Sequence, residues 1–381
     1  MRLRCNNNSL YKIFIFILIL MYMIETTSLK SFNESTLQKI LQLSALFFAF
    51  IYIVKRKYSH KELERLFVLN SIGLLCYISS GFSGLFMTML AITLLPQGIL
   101  DDVLKMIFKE ELVLFAIIVV CSCLGILNNS AVDINKGSYV ASALSLGFEH
   151  PNMLAAQATS IVFLYLCINR KQLRMKHFLF SLLSIIAIFF ISKGRTSLIL
   201  GVLAWLLILM KNKRIVKKYI LRILPWIYIL VFAVLILCMI IYAKFGYNAR
   251  ITILLNDTLF NGRIGLAYRS LLVYPITLFG KAIDLSVWNK YQYYSLDNGQ
   301  VMLLLEYGII GFMAYFFVIQ KATRKIQADQ ETVLGIVMII FLVWSMYEGT
   351  MYFIGKNFAL LFLGTNSQLL AFSRQRRKYD S

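Results

Sequence analysis

The chain has 381 residues, 59% of them hydrophobic and only 15% charged, with a formal net charge of +21. Its mean hydropathy of +0.73 lies far from the balance of soluble globular domains and excludes that class. A basic excess of this size would suggest nucleic acid in a soluble protein, but here its position along an apolar chain matters more than its sum, and nucleic acid is excluded as a partner.

Apolar runs recur along the whole length, about 12 of them, several shorter than the ~20 residues that span hydrocarbon comfortably. They lie near 10–24, 36–54, 66–80, 84–100, 111–127, 152–168, 177–192, 196–210, 219–243, 299–319, 333–348 and 355–372. Lipid cannot satisfy backbone polar groups, so runs of this kind are expected to be helices. The first follows Arg2 and Arg4 in the manner of a signal peptide, but Glu25-Thr26-Thr27 offers no small-x-small cleavage site, and the run reads as a retained helix.

Basic clusters follow alternate runs. Lys55, Arg56, Lys57, Lys61 and Arg65 come after the second, Arg170, Lys171, Arg174 and Lys176 after the sixth, and Lys211, Lys213, Arg214, Lys217, Lys218 and Arg222 after the eighth. By the positive-inside rule these loops and both termini are cytoplasmic. The chain is then one integral membrane domain, 1–381, all-α, with a long external loop at 244–298. The six cysteines (Cys5, Cys76, Cys121, Cys123, Cys167, Cys238) fall in or beside helices or at the cytoplasmic N-terminus. They show no zinc or redox spacing and read as small buried hydrophobes. No internal repeat of the kind common in transporters is visible.

The polar residues that this scheme leaves over cluster at the external side. Glu149-His150-Pro151-Asn152 stands at the start of the sixth run. Pro151 suits a first helical turn and a polar neighbour can cap it, while Glu149 and His150 could also shuttle a proton. Ser192-Lys193-Gly194-Arg195 joins two helices with almost no loop. Arg195 is then held at headgroup level, either snorkelling to lipid phosphate or gripping a pyrophosphate.

The long loop carries Arg250, Arg263 and Arg269, and Asn261-Gly262-Arg263-Ile264 opens a stretch with helical apolar spacing. Arg263 and Arg269 are six apart and do not share a helical face. Trp288 and Tyr291 read as an interfacial aromatic belt or as a platform for sugar rings. Asp297-Asn298 precedes the tenth run, as a helix cap or as a general base beside a cavity. Glu306, eight residues further, lies roughly 12 Å deeper on a helix, where a carboxylate faces a partner or lines a cavity. Gly308 and Gly311 read as helix-packing positions.

In order, these motifs are His150-Pro151-Asn152, Gly194-Arg195-Thr196, Asn261-Gly262-Arg263, Leu278-Phe279-Gly280, Leu296-Asp297-Asn298 and Glu306-Tyr307-Gly308-Ile309-Ile310-Gly311. The series, over roughly residues 140–315, resembles the Wzy-type oligosaccharide repeat-unit polymerases, relatives of the O-antigen ligases. That resemblance implies a GT-C-like glycosyltransferase of about 12 helices in a bacterial cytoplasmic membrane. It would join undecaprenyl-pyrophosphate-linked oligosaccharides on the outer face, with flippase and chain-length regulator proteins as partners.

Carried over residue by residue, Arg195 matches the arginine of the helical turn and Arg263 the long-loop arginine. Asp297-Asn298 stands where ligases tend to carry a His-Asn pair, and Lys281 departs from relatives that continue toward a second glycine. Arg195, Arg263, Asp297, His150 and Glu306 are thus the catalytic candidates, and Asn152, Arg250, Arg269, Asn298, Trp288 and Tyr291 the substrate-binding ones. No cofactor is expected, and with no external Asp-x-Asp pair the reaction is expected to be metal-independent. The rivals are a ligase-like glycan transferase and a lipid-linked oligosaccharide flippase, which would concentrate its polar residues near the bilayer midplane.

Overall fold

The computed structural model describes residues 7–31, 34–96, 98–129, 131–135, 140–283 and 296–364. Among them, seven helical runs are long and apolar enough to cross a membrane, and three shorter apolar helices accompany them. The protein is helical, with one two-stranded hairpin, β1 (Ala131–Asn135) and β2 (Val140–Leu144), paired antiparallel in the expected external loop.

Of the about 12 apolar runs expected, ten are matched by these long and short helices among the described residues, and three runs differ from expectation for physical causes. The run near 84–100 is helical only over α4 (Gly84–Leu94), because Pro96 cannot continue it. The run near 111–127 belongs to α5 (Leu100–Cys123), which begins earlier and takes in Asp101, Asp102, Lys105, Lys109, Glu110 and Glu111. The run near 355–372 forms 3₁₀ turns up to Gly364, and its remainder lies outside the described residues. Phe358 to Phe362 are fully buried there. Apolar composition marks contact with protein as well as with lipid, and sequence does not distinguish the two.

The chain divides into two compact units. The first comprises Met1–Lys57, Leu94–Lys217 and Ile354–Leu361. In it α1 (Asn7–Glu25) packs on α2 (Glu34–Lys55) and on α5, and α5 packs on α6 (Pro151–Ile168). α6 is buried from Leu154 to Leu164, as expected of a helix that is apolar on every side. α7 (Met175–Ser192) and α8 (Arg195–Leu209) lie against it.

α5 and α6 run antiparallel. The Arg170 guanidinium meets Asp101 at 2.7 Å at one end, and the rings of Phe108 and Tyr165 lie 5.9 Å apart further along. Burial disfavours the charged form of Asp101, but hydrogen bonds and attraction from Arg170 and Lys171 outweigh it and hold the carboxyl below its ordinary value.

The second unit comprises Tyr58–Thr93, Lys218–Phe353 and Phe362–Ser381. It holds α3 (His60–Ser80), α4, most of α9 (Arg214–Ile223), α10 (Ile227–Phe245), the short α11 (Arg250–Thr252) and α12 (Arg263–Val273). It closes with α13 (Gly299–Ala328) and α14 (Thr332–Trp344). α3 packs along α13, α10 against α12, and α14 against α10 and α13.

α13 is not one continuous helix. Gly308, with φ 70° and ψ −175°, interrupts it in a conformation open essentially only to glycine. The segment Thr277–Lys281 fills the gap. The N–H groups of Ile309 and Ile310 donate to the carbonyls of Thr277 and Leu278, both at 3.0 Å, and the Lys281 N–H donates to Leu305 O at 3.2 Å. From α3, the Ser79 hydroxyl donates to Gly280 O at 2.7 Å and the Cys76 thiol to Tyr307 O at 3.2 Å.

The backbones approach so closely that a Cβ at Gly280 would meet the Glu306 carbonyl, and one at Gly308 the Gly280 nitrogen. Gly246 shares the conformation of Gly308 (φ 70°, ψ 175°) with open space around it. Gly308→Ala should therefore cost about 3 kcal/mol or more, and Gly246→Ala only the ~1–3 kcal/mol of backbone strain. Thermal unfolding of the purified chain in detergent measures the difference. Equal loss at the two positions would mean that the close approach contributes nothing.

Candidate functional site

The candidate residues fall into two groups, one in each unit. In the first unit, the loop before α6 is fixed to the end of α1. The Ser28 N–H donates to Gly147 O at 3.0 Å, the Glu149 N–H donates to Thr26 O at 3.1 Å, and Thr27 pairs with Phe148. The Phe148 ring is buried against Phe115.

His150 is the N-cap of α6, its Nδ1 accepting from the Asn152 N–H at 3.1 Å. For a neutral ring that bond assigns the proton to Nε2 and engages the basic lone pair at Nδ1. The geometry favours capping and positioning for His150 over general-base work. Glu149 is exposed beside it.

The α7–α8 turn comes to the same place. Lys193 ends α7 in the left-handed conformation at φ 53° and α8 begins at Arg195. A Cβ on Gly194 would stand 2.8 Å from the Ala155 Cβ, so only glycine lets this turn sit against the first turns of α6. Two motifs distant in sequence, His150-Pro151-Asn152 and Gly194-Arg195, thereby meet at one end of one unit, with Arg195 exposed.

The second group centres on the C-terminal end of α14. A helix end leaves carbonyls without intrahelical partners, and the dipole makes that end partly negative. Here the last helical carbonyls accept from the N–H groups of Ser345 to Glu348, and three successive carbonyls of that turn are taken by other segments. Ser345 O accepts from the Gly299 N–H at 2.7 Å, Met346 O from Asn298 Nδ2 at 3.1 Å, and Tyr347 O from Arg263 Nε at 2.8 Å.

Asn298 simultaneously caps α13, its Oδ1 accepting from the N–H groups of Gln300 and Val301 at 3.2 and 3.0 Å. Arg263 is buried, and its Nη2 lies 3.3 Å from Asp297, whose side chain is 39% exposed. A shielded guanidinium and a solvent-reaching carboxylate therefore stand side by side.

The turn before α12 explains why Arg263 points inward. Asn261 and Gly262 both adopt positive φ, 52° and 84°, reversing the chain after the π-helical stretch Ile253–Leu259. Buried Asn256 accepts from the Gly265 N–H at 2.7 Å through Oδ1, and its carbonyl accepts from the Gly262 N–H at 2.7 Å. The Phe260 ring stacks on Tyr347 at 5.2 Å. Six residues beyond Arg263, Arg269 is on the exposed face of α12, and Arg250 is exposed in α11, so neither joins Arg263.

Glu306 sits on the α13 segment just before the break, 2% exposed, and accepts from the Tyr352 hydroxyl at 2.7 Å. It has a partner in the bundle interior, the first of the two alternatives its depth allowed. Trp288 and Tyr291 lie outside the described residues. Sequence reasoning missed Asn256, Tyr347 and Tyr352. Asn256 could have been found as a polar residue inside an apolar stretch, but a backbone carbonyl acceptor such as that of Tyr347 carries no side-chain signal.

Comparison of the chain with protein-family models, with curated proteins and with solved structures finds no match. The coarse identity that composition and structure support together is a helical protein with helices long and apolar enough to span a membrane.

Asn298→Ala should destabilise the second unit by about 1–2 kcal/mol by removing the cap of α13 and the donor to Met346. Asn298→Ser, which keeps the capping oxygen but cannot reach Met346, should recover part of that loss in the same thermal measurement. Full stability of the alanine variant would show that the cap does not hold this helix start.

Proposed function

We propose that the chain is a membrane glycosyltransferase of the polymerase type, joining polyprenyl-pyrophosphate-linked oligosaccharide units into a surface polysaccharide at the outer face of a bacterial cytoplasmic membrane. The observation that carries this reading is the pair formed by buried Arg263 and half-exposed Asp297, with Nη2 and Oδ2 3.3 Å apart. In the transfer, the anomeric C–O bond to the pyrophosphate breaks and a new one forms to the acceptor hydroxyl. The hydroxyl proton goes to a base and the negative charge goes to the departing pyrophosphate.

Asp297 is the carboxylate among the candidates that reaches solvent and suits the first task. A guanidinium held in a fixed orientation suits the second, because preorganised donors stabilise developing charge without reorganising. Taken by itself, Arg195 at the start of α8 is an exposed cation of the kind that grips a pyrophosphate. Glu306 supports the helix that Asn298 caps.

The break in α13 favours one alternative, a flippase for lipid-linked oligosaccharides, since transporters bind ligands at interrupted helices. In transporters, however, the freed backbone groups face the ligand. Here Thr277–Lys281 occupies those of Ile309, Ile310 and Leu305, which argues against ligand binding at this break.

In a host lacking the chain, gels of lipid-linked and surface glycans should show single repeat units without a ladder. The wild type should restore the ladder, and Arg263→Ala and Arg195→Ala should lower polymer yield by about 10²–10³-fold at matched membrane levels. Arg195 is exposed, so its variant separates chemistry from folding. Polymer made but left unattached to its final acceptor would mean a ligase. Units trapped on the cytoplasmic leaflet would mean a flippase.

A further inference from the structure

Along the outward face at the start of α10 runs an open groove of about 450 Å³, lined by Tyr219, Arg222, Ile223, Trp226, Ile229 and Leu230. These positions follow the 3, 4, 7 spacing of one helical face, and the opposite stripe (Leu221, Leu224, Ile227, Tyr228, Val231) is buried. Tyr219 and Trp226 are 63% and 59% exposed, so the groove is uncovered.

Two features show what covers it. The run from Arg214 to Phe245 is 32 residues long, about 48 Å at 1.5 Å per residue, against a hydrocarbon thickness of about 30 Å. About 12 of its residues therefore lie outside hydrocarbon, and the basic α9, joined to α10 by a 3₁₀ turn at Leu224–Trp226, is the end suited to the headgroup layer, with Tyr219 and Trp226 at the depth interfacial aromatics favour. That end also concentrates positive charge. Arg214, Lys217, Lys218 and Arg222 fall in α9, with Lys211 and Lys213 just before it and no acidic residue among them. On the other side, the apolar face continues along α10 through exposed Val234 and Leu237, offering a track for an acyl chain.

We propose that this groove binds an anionic phospholipid of the cytoplasmic leaflet, its phosphate on Arg222 and Lys218 and one acyl chain along Ile223, Trp226 and Leu230. A free phosphate would leave five apolar side chains uncovered, and a zwitterionic lipid would leave the cations uncompensated. The inference requires only that the chain spans a membrane with its basic loops on the cytoplasmic side and is independent of the glycosyltransferase reading.

The test reconstitutes the full chain into phosphatidylcholine vesicles containing either brominated phosphatidylglycerol or brominated phosphatidylcholine. Trp226 quenching is taken as the difference between the chain and its Trp226→Phe variant. Half-quenching should require at least about fivefold less brominated phosphatidylglycerol, the scale of one cation at an anionic surface. The preference should persist in 0.5 M salt, where the screening length is about 4 Å.

Lys218→Gln with Arg222→Gln should bring the two lipids to parity, while Lys176→Gln on α7 should leave the preference intact. Both substituted positions of the double variant are exposed, and unchanged quenching by brominated phosphatidylcholine reports that its fold is retained. Equal quenching in the wild type, a preference that the double variant keeps, or one that salt abolishes would each overturn the proposal, the last by leaving only diffuse surface attraction.

Discussion

A helix that crosses hydrocarbon satisfies its own backbone, and wherever it is interrupted the freed groups must find partners inside the protein. The second unit is organised by that constraint. At Gly308 the intrahelical ladder of α13 stops, and the N–H and carbonyl groups released there are taken by Thr277–Lys281 and by the Cys76 thiol of α3. Glycine at 280 and 308 is required because the two backbones share the space a side chain would need. The segment after α12, the break in α13 and the end of α3 are therefore one structural joint.

The same constraint recurs at the helix ends. The carbonyls of Ser345, Met346 and Tyr347, in the turn that follows α14, accept from Gly299, Asn298 and Arg263, and the negative end of the helix dipole beside them favours the guanidinium. The residues with the most promising chemistry thus also hold the structure together. An arginine bracketed by a carbonyl and a carboxylate has little freedom to reorient. Such rigidity is what stabilisation of a developing pyrophosphate charge calls for, and it is also why a stability readout must accompany any activity readout at position 263.

Polar side chains elsewhere follow a common pattern. His150 caps α6, Gly194 lets the α7–α8 turn approach that cap, and Asp101 with Arg170 ties the other ends of α5 and α6. Glu306 departs from it, lying inside the bundle with the Tyr352 hydroxyl as partner. Glu110 and Glu111 also lie on the buried stripe of α5, where the helical spacing would call for apolar residues.

Composition alone determined that the chain is helical and suited to a membrane, because an apolar run in lipid has no other way to satisfy its backbone. The capping role open to Asn298, the tight turn before Arg195, the different faces of Arg263 and Arg269, and the depth of Glu306 were all legible, since each follows from local spacing along one helix, whereas His150 read as a proton carrier and is the cap of α6. The number of long spans was not, because residues 358–363 are as apolar as a lipid-facing helix but are buried in protein. Nor could sequence join Leu278-Phe279-Gly280 to Glu306-Tyr307-Gly308, or Arg263 to the Tyr347 carbonyl. Those contacts link distant segments through backbone atoms, which every residue carries alike, so only the tertiary structure decided which of them meet.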